Sequence, residues 1–298
     1  MIKKPTVQPP KSLPALIEDA LSIERESAKD AGAIGFIARA LAIATMPHRK
    51  VQGGEFSRSN GLFTLTMYAP LSVGLPYGSY PRLLLSWLTT EAVRTKSREI
   101  ELGDSLSGFM GELGLKPTGG RWGTIPNLKR QMASLFCCAI SCLYRDKQRA
   151  AEMGYRMVSG SNLWWDPKSP EQRALWRSSV SLSKEFFDEV VDRPVPIDLR
   201  ILGHLRRSPL ALDIYSWLTY RTSYLRGPVS IPWGGLKEQF GSQYADTKKG
   251  THHFREEFER QLKAVLKVYT GVEVETTPEF FTLKSGRPSV EPRINLKL

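Results

Sequence analysis

Cysteine and histidine are scarce in this sequence, which has three cysteines and four histidines among 298 residues. Cys137, Cys138 and Cys142 lie close together in an apolar segment, and an odd number of them cannot complete a disulfide framework. Their surroundings predict reduced, mostly buried thiols. A zinc site would need a fourth ligand at workable spacing, and no histidine lies near these three, so we expect no metal.

Long apolar runs and acidic residues are also in short supply. No uninterrupted apolar run is long enough to span a bilayer, and the N-terminus lacks the apolar core of a signal peptide. The chain has 42 Lys and Arg residues against 30 Asp and Glu residues, a net charge of +12. This excess favours a polyanionic partner, either nucleic acid or an anionic membrane surface. Because the apolar run is missing, we favour nucleic acid and a cytoplasmic location.

Catalytic motifs are missing as well. No GxxxxGK[ST] phosphate loop occurs, so ATP hydrolysis is not expected. An enzyme that nicks DNA would need a tyrosine nucleophile and two metal-binding histidines separated by one bulky residue. The only close pair, His252 and His253, is adjacent, and adjacent residues on a helix point about 100° apart, so they would hold one ion poorly. We predict no enzymatic activity and no cofactor, against the rival hypothesis of a relaxase or primase.

The segment Leu75–Phe136 organises the rest of the chain. It predicts a helix that begins near Tyr80, a short edge strand in REIELG, and a second helix capped by Asp104 or Ser105. A tight basic loop then precedes a third helix with Thr124 as its N-cap. Helix, strand, helix, turn, helix is the order of a winged-helix form of the helix-turn-helix, whose last helix enters a major groove. A small helical bundle with a solvated polar face is the alternative interpretation.

A basic hairpin is predicted after the third helix. Strands are expected at residues 140–146, 153–165 and 175–182, and the last two would form the hairpin. A hairpin in this position is the wing of a winged helix, and its basic residues suit phosphate or minor-groove contact. Trp164 and Trp165 could stack on bases, although aromatic pairs in hairpins more often pack in a core.

The second half of the chain repeats this plan. A helix begins at Ser208 and shares the text SWLT with the first helix of the other half, a strand follows at Val229–Ile231, and a second helix spans Pro232–Phe240. A basic turn leads into a long third helix with Thr251 as its cap. The hairpin after it has an acidic tip, with Glu273, Glu275 and Glu279. This second wing is expected to contact phosphate poorly.

We therefore predict an α+β protein with tandem winged-helix domains, that is, two helix-turn-helix units, each with a β-hairpin wing. Residues 1–28 are expected to form a flexible basic arm with a short helix, because lysine and proline are frequent there. The first winged-helix domain is assigned to residues 29–193 and the second to residues 194–298, with the boundary in RPVP. An apolar helix is expected from Ala31 to Thr45.

The predicted DNA contacts are polar residues on the two third helices, in the turns before them and in the first wing. In the first domain they are Arg121, Trp122, Thr124, Asn127, Lys129, Arg130, Gln131, Lys168, Arg173 and Arg177, and in the second they are Lys248, Lys249, His252, Arg255, Glu256, Arg260 and Lys263. Arginine can pair bidentately with guanine and an amide side chain with adenine, whereas lysine mainly neutralises phosphate. Asn127 and Gln131 are the amide candidates for adenine.

Several long stretches resemble the plasmid-encoded RepA family of replication initiators. The resemblance runs from about Gly74 to Ser289 and is carried by LPYGSYPRLLLSWLTTEAVRTKSREIELGDSLSGFMGELGLKPTGGRWGTI, LWWDP, VPIDLR, SPLALDIYSWLTYRTSYL and WGGLKEQFG. The first of these is long and distinctive, whereas the first 70 residues match less clearly.

This resemblance implies a bacterial initiator that binds repeated sites, called iterons, in the double-stranded DNA of a plasmid origin. Such proteins are expected to help open an adjacent AT-rich segment and to recruit the host replication initiator and the replicative helicase. Related initiators often exist as homodimers that repress their own promoter and as monomers that start replication, and cleavage of DNA is not expected of them. A winged-helix transcriptional repressor without initiator activity is the alternative.

Overall fold

The computed structural model describes residues 34–145, 150–166, 168–174, 177–192, 194–241 and 243–290. The arm predicted at residues 1–28 lies outside these ranges. The helices are α1 (Arg39–Ile43), α2 (Ser79–Thr95), α3 (Leu106–Glu112), α4 (Thr124–Cys137), α5 (Lys184–Asp192), α6 (Leu199–Leu205), α7 (Pro209–Thr222), α8 (Trp233–Phe240) and α9 (Lys248–Leu266). The strands are β1 (Ile34–Ile37), β2 (Glu55–Asn60), β3 (Phe63–Tyr68), β4 (Glu99–Gly103), β5 (Ala139–Arg145), β6 (Ala150–Arg156), β7 (Val158–Asn162), β8 (Ser178–Leu182), β9 (Val195–Asp198), β10 (Val229–Pro232), β11 (Val272–Thr276) and β12 (Phe280–Gly286). These helices and antiparallel sheets confirm the predicted α+β class.

The apolar segment near the N-terminus is not the helix that its composition predicts. Ile34–Ile37 form β1, which pairs antiparallel with β9, and only Arg39–Ile43 are helical. β-branched and aromatic residues suit a strand once a partner strand is available, so tertiary pairing outweighs the helical propensity of the alanines. The helix expected from Ala31 to Thr45 is therefore wrong for Ile34–Ile37 and confirmed only for Arg39–Ile43.

The first unit, from α2 to β8, contains the predicted helix, strand, helix, turn and helix in order, but β5 and β6 lie between α4 and the hairpin of β7 and β8. β4 lies between α2 and α3 in the chain and pairs with β8, which also pairs with β7, so the sheet order is β4-β8-β7. Ser105 is the N-cap of α3, since its hydroxyl accepts the Gly108 N–H at 3.2 Å. The hairpin thus returns to the edge strand that precedes α3.

The second unit, from α7 to β12, also has a helix, a strand and two further helices, and its hairpin of β11 and β12 follows α9 directly. Its strands are arranged β10-β12-β11, so the strand between the first two helices again pairs with the second strand of the hairpin. The shared SWLT text lies on α2 and α7. Trp217 of α7 packs against Phe240 and Phe281, and Trp87 of α2 packs against Phe109. The narrower assignment of these units as winged helices stays a prediction.

A four-stranded sheet, β2-β3-β5-β6, adds to the first unit. Leu65 and Met67 of β3 and Ile140 of β5 are buried, and hydroxyl residues alternate with them along the strands, which places one face of the sheet on a core. The single strand predicted for residues 153–165 is wrong. Its residues belong to β6 and β7, which lie in different sheets on either side of the buried Met157.

Among the described residues, buried apolar side chains form two hydrophobic cores, one for each unit. Side chains from the N-terminal part enter both: Ala38 and Ala40 pack in the first core, whereas Ile37 and Ala42 pack in the second. Leu83 of α2 also packs in the second core. The units are therefore joined by buried apolar contacts as well as by the β1–β9 pair. The predicted boundary between residues 193 and 194 stays a prediction.

Candidate nucleic-acid interface

The loop before α4 is a tight turn held by two threonines. The hydroxyl of Thr124 accepts the Thr118 N–H at 2.9 Å and donates to the carbonyl of Lys116 at 2.7 Å, while the Thr118 hydroxyl accepts the Thr124 N–H at 2.9 Å. A Cβ atom at position 123 would lie 2.2 Å from the carbonyl oxygens of Thr118 and Gly119, so only glycine fits there. The loop is thus braced against the first turn of α4.

Thr124 has a different role from the one predicted. The N-cap of α4 is Gly123, and Thr124 is the first helical residue. Its hydroxyl is used within the loop, and it is only half-exposed. The expectation that Thr124 caps the helix is wrong, because the hydroxyl turns back toward Thr118 instead of toward the N–H groups of the next turn.

The surface formed by the loop and α4 carries cations without acids. Lys116, Arg121, Lys129 and Arg130 are exposed, and no Asp or Glu occurs from residue 116 to residue 137. The Arg121 guanidinium lies over the ring of Trp122, 5.0 Å from its centroid, and the Trp122 side chain is 80% exposed. These five residues form what we call the α4 surface. An unneutralised patch of this kind attracts phosphate.

Asn127 connects the loop to the helix face. Its side-chain amide donates to the carbonyl of Trp122 at 3.3 Å, and its side-chain oxygen accepts a hydrogen bond from Arg130. Both ends of the amide are therefore engaged, which makes Asn127 a positioning residue for Arg130 in this structure.

Gln131 does not lie on the exposed face of α4, contrary to the prediction. Its side chain is 3% exposed, and its oxygen accepts the backbone N–H of Tyr77 at 2.7 Å. Ser134, one turn further along, donates to the carbonyl of Val73 at 3.3 Å. The segment before α2 therefore covers this side of α4, and Gln131 is unavailable to a base.

The basic residues of the first wing lie on a long connection that folds back over α3. Pro170 accepts the Ser107 N–H at 3.0 Å, and the Ala174 N–H donates to the Asp104 carbonyl at 2.8 Å. Lys168 is exposed; Arg173 lies 3.5 Å from an Asp104 carboxylate oxygen, and Arg177 lies 2.5 Å from a Glu101 oxygen. These exposed pairs are weak, so both arginines can exchange their carboxylate partners for phosphate.

The two tryptophans of this connection have different environments. Trp165 stacks on Phe109 with ring centroids 5.1 Å apart, and its indole N–H donates to the Gly103 carbonyl at 3.3 Å. The neighbouring Trp164 is 55% exposed. The prediction of core packing therefore holds for Trp165 alone.

The turn before α9 is braced by a buried lysine. Lys237 of α8 donates to the Ala245 carbonyl at 3.0 Å and to an Asp246 carboxylate oxygen at 2.9 Å. The N-cap of α9 is Thr247, whose hydroxyl accepts the Gly250 N–H at 3.0 Å, so Thr251 as a cap is wrong. The helix begins one turn earlier than predicted, and this places the exposed Lys248 and Lys249 in its first turn.

Most cations further along α9 are paired with acids of the same helix. Arg255 contacts Glu259 at 2.9 Å and lies over the Trp233 ring, 5.5 Å from its centroid. Arg260 pairs with Glu257, and His252 lies 3.4 Å from Glu256. Lys263 is exposed. Arg255 is only half-exposed, so its predicted role as a base reader would require it to leave both partners.

A cluster of buried charges lies between the two units, and the sequence analysis missed it. Asp213 of α7 accepts two hydrogen bonds from Arg82 of α2, both at 2.7 Å, and one from the His48 ring at 2.7 Å. Arg82 also donates to the carbonyls of Met46, Pro47 and Gly78, so all five of its N–H groups are used. A charged residue inside the apolar text LALDIY was the signal that could have revealed this site.

The ionisation of this cluster follows from its burial. Burial lowers the pKa of His48 to about 4 despite the hydrogen bond to Asp213, so the ring is neutral at pH 7 and donates from Nε2. Burial alone would raise the pKa of Asp213, but the charge of Arg82 and the hydrogen bonds from Arg82 and His48 bring it below its ordinary value. Asp213 is therefore an anion held by one cation and one neutral donor.

Arg58 of β2 is a second buried cation between the two units, and its side chain is only partly hydrogen-bonded. It is 1% exposed, and its side chain donates to the carbonyl of Gln239 on α8 at 3.1 Å, while Nε and Nη2 have no partner among the described residues. Burial lowers its pKa to about 9. A buried cation without full pairing destabilises the folded state, so this contact between β2 and α8 opposes the stability that Arg82 and Asp213 provide.

The three cysteines are thiols at half-buried or buried positions. Burial raises the pKa values of Cys138 and Cys142 to about 12, which makes these two poor nucleophiles. No group of three or more potential metal-ligating side chains lies together in the described ranges. Across the same ranges, no helix has the length and apolar character needed to cross a membrane.

Comparison with known proteins gives one family and one fold. The model of a family described as plasmid encoded RepA protein matches residues 75–233, a little over half of the chain. Two crystal structures of domains 2 and 3 of RctB are similar at 10% sequence identity. One has a TM-score of 0.52 and covers 83% of this chain and 96% of the RctB chain; the other, a selenomethionine derivative, has a TM-score of 0.54 and covers 86% and 100%. A comparison with curated proteins gives no match.

Proposed function

Because the chain belongs to the plasmid-encoded RepA protein family of replication initiators, we propose that it binds double-stranded DNA at repeated sites in a plasmid origin. The observation that carries this proposal is the α4 surface, which presents four exposed cations on α4 and the braced loop before it, within a stretch from residue 116 to residue 137 that contains no Asp or Glu. The fold shared with domains 2 and 3 of RctB supports two related units in one chain.

In this proposal each unit is a winged helix and α4 lies in a major groove. Lys129 and Arg130 face the DNA from the helix, and Arg121 approaches from the loop. Arginine can pair bidentately with guanine, whereas lysine neutralises phosphate and sets the salt dependence. Lys248 and Lys249 of the second unit add phosphate contacts, because both are exposed and neither forms an ion pair in the described ranges.

Other parts of the proposal rest on the family alone. They are the opening of an AT-rich segment, the recruitment of the host replication initiator and the replicative helicase, and a homodimer that represses its own promoter. A bacterial cytoplasmic location, associated with the plasmid, follows from the same role.

Two experiments test the proposal. Selection of duplexes from a random library, followed by protection mapping on the plasmid that encodes the protein, should recover one repeated sequence near the gene. Arg121→Ala should lower affinity for that sequence more than affinity for random duplex; equal losses would make Arg121 a backbone contact. If a plasmid that carries the repeats and the gene fails to replicate although the repeats are bound, the protein is a repressor instead.

A further inference from the structure

Trp122 is the most exposed of the large apolar side chains in the described ranges, at 80%. It lies in the loop between α3 and α4, where so exposed an apolar side chain contributes little to a core. Exposed aromatic residues of this kind are common at binding surfaces, because a rigid ring buries a large area with little loss of conformational entropy.

Hydrogen bonds hold the backbone of this loop in a defined place. Thr118 and Thr124 exchange hydrogen bonds across the loop, and the Gly123 N–H donates to the Gly120 carbonyl at 3.0 Å. The Trp122 carbonyl is fixed by Asn127 at 3.3 Å. The indole therefore projects from a braced turn beside the N-terminus of α4, where a site that recognises a ligand benefits from preorganisation.

The surroundings of the ring favour nucleic acid over protein. Arg121 lies over the ring and forms no ion pair in the described part of the chain, and Lys116 is exposed in the same loop. Arginine and tryptophan together offer a base a flat surface to stack on and offer its phosphate a positive charge.

We propose that the Arg121–Trp122 pair is a stacking site for an unpaired nucleobase. This inference rests on the proposed function, which places α4 on a duplex and requires strands to separate close by. In a duplex both faces of each base are already stacked, so an indole reaches only base edges and sugars. An unpaired base exposes its face, and stacking on an aromatic side chain tolerates any base.

The test uses a duplex selected by the wild-type protein and a second form of it with one bulged, unpaired 2-aminopurine near the protected region. Trp122→Ala should lower affinity for the bulged duplex about 5- to 100-fold, which corresponds to the loss of one base stack, and affinity for the paired duplex by less than about threefold. Wild type should quench the fluorescence of 2-aminopurine on binding, and Trp122→Ala should not.

Matched variants separate stacking from other effects. Trp122→Phe keeps a ring and should stay within about threefold of wild type on the bulged duplex. Leu71→Ala removes another exposed apolar side chain, 79% exposed and outside both units, and should bind like wild type. Equal losses on paired and bulged duplexes, or no loss on either, would overturn the stacking site. If the proposed function is wrong, the wild-type protein will select no duplex sequence. The effect of Trp122→Ala on binding can then still be measured with a single-stranded oligonucleotide, which tests the stacking site separately.

Discussion

In the first unit, α4 carries two exposed cations and no acidic residue, and the loop before it adds two more cations. In the second unit, α9 carries five basic and three acidic residues, and Arg255 and Arg260 are each paired with a glutamate. The hairpins differ in the same direction: the connection between β7 and β8 has exposed basic residues, whereas the hairpin of β11 and β12 has Glu273, Glu275 and Glu279. The two units share the order helix, strand, helix, helix but differ in electrostatics, and DNA binding is expected to depend mainly on the first.

The largest effect is expected from breaking the buried contact between the units. Asp213→Asn leaves Arg82 buried without its carboxylate and should lower the free energy of unfolding by about 3–5 kcal/mol. Urea unfolding measures this. Asp188→Asn makes the same chemical change in an exposed pair with Lys184 and should cost less than about 1 kcal/mol. Equal losses in the two variants would show that Asp213 does not hold the units together.

The pH dependence of stability should report on the same contact. His48 has a pKa of about 4 in the folded state and 6.5 as its ordinary value, so between these pH values the unfolded chain binds more protons. Stability should therefore be complete above pH 6.5 and decrease by roughly 3 kcal/mol as the pH falls to 4. The charged groups around the ring are Asp213, Arg82 and Arg58, and the pKa of Arg58, about 9, lies above this window.

Urea unfolding at several pH values checks this expectation. His48→Gln should flatten the loss between pH 6.5 and 4, whereas His252→Gln at an exposed position should keep the wild-type slope. A wild-type stability that is constant over this window would contradict a buried neutral His48.

The contrast between α4 and α9 can be tested by matched double variants. Lys129→Ala with Arg130→Ala should lower affinity for the selected duplex roughly 30- to 300-fold. Both cations are exposed, and neither forms an ion pair with an Asp or Glu of the described residues. Arg260→Ala with Lys263→Ala should cost less than about fivefold, since Glu257 already neutralises Arg260. Mobility shifts at several salt concentrations measure both affinity and salt slope. A larger loss in the α9 variant would reverse the assignment of the dominant unit.

Local signals in the sequence predicted the helices and hairpins of both units, but not which of their polar side chains are exposed and unpaired. Helix order, the Ser105 cap and both hairpins follow from spacing and turn chemistry. The pairing of Arg255 with Glu259 was also readable, because residues four apart on a helix are neighbours. Gln131 lies three residues after the buried Leu128 and four before the buried Leu135, so helical spacing placed it on the covered side.

Contacts between distant segments were beyond such signals. The strand β1 forms because β9, more than 150 residues later, offers an edge. Asp213 meets Arg82 only once both cores are packed, and no local pattern gives that pairing. Sequence reasoning therefore found the exposed cations of α4 and overlooked the buried ions between the units.

The smallest effect is expected from a charge reversal on the second hairpin. Glu279 lies at the tip of the second hairpin, where its backbone carbonyl accepts the backbone N–H of Trp233 at 3.3 Å. A change of the Glu279 side chain leaves this hydrogen bond in place. Glu279→Lys should strengthen binding to any duplex by less than about threefold at low salt, and the gain should vanish at high salt because exposed charges are screened. Glu185→Lys makes the same charge change on α5 and serves as the control. A gain specific to Glu279→Lys would place the second wing close to DNA, whereas equal gains would indicate net charge alone and leave the first unit as the main contact.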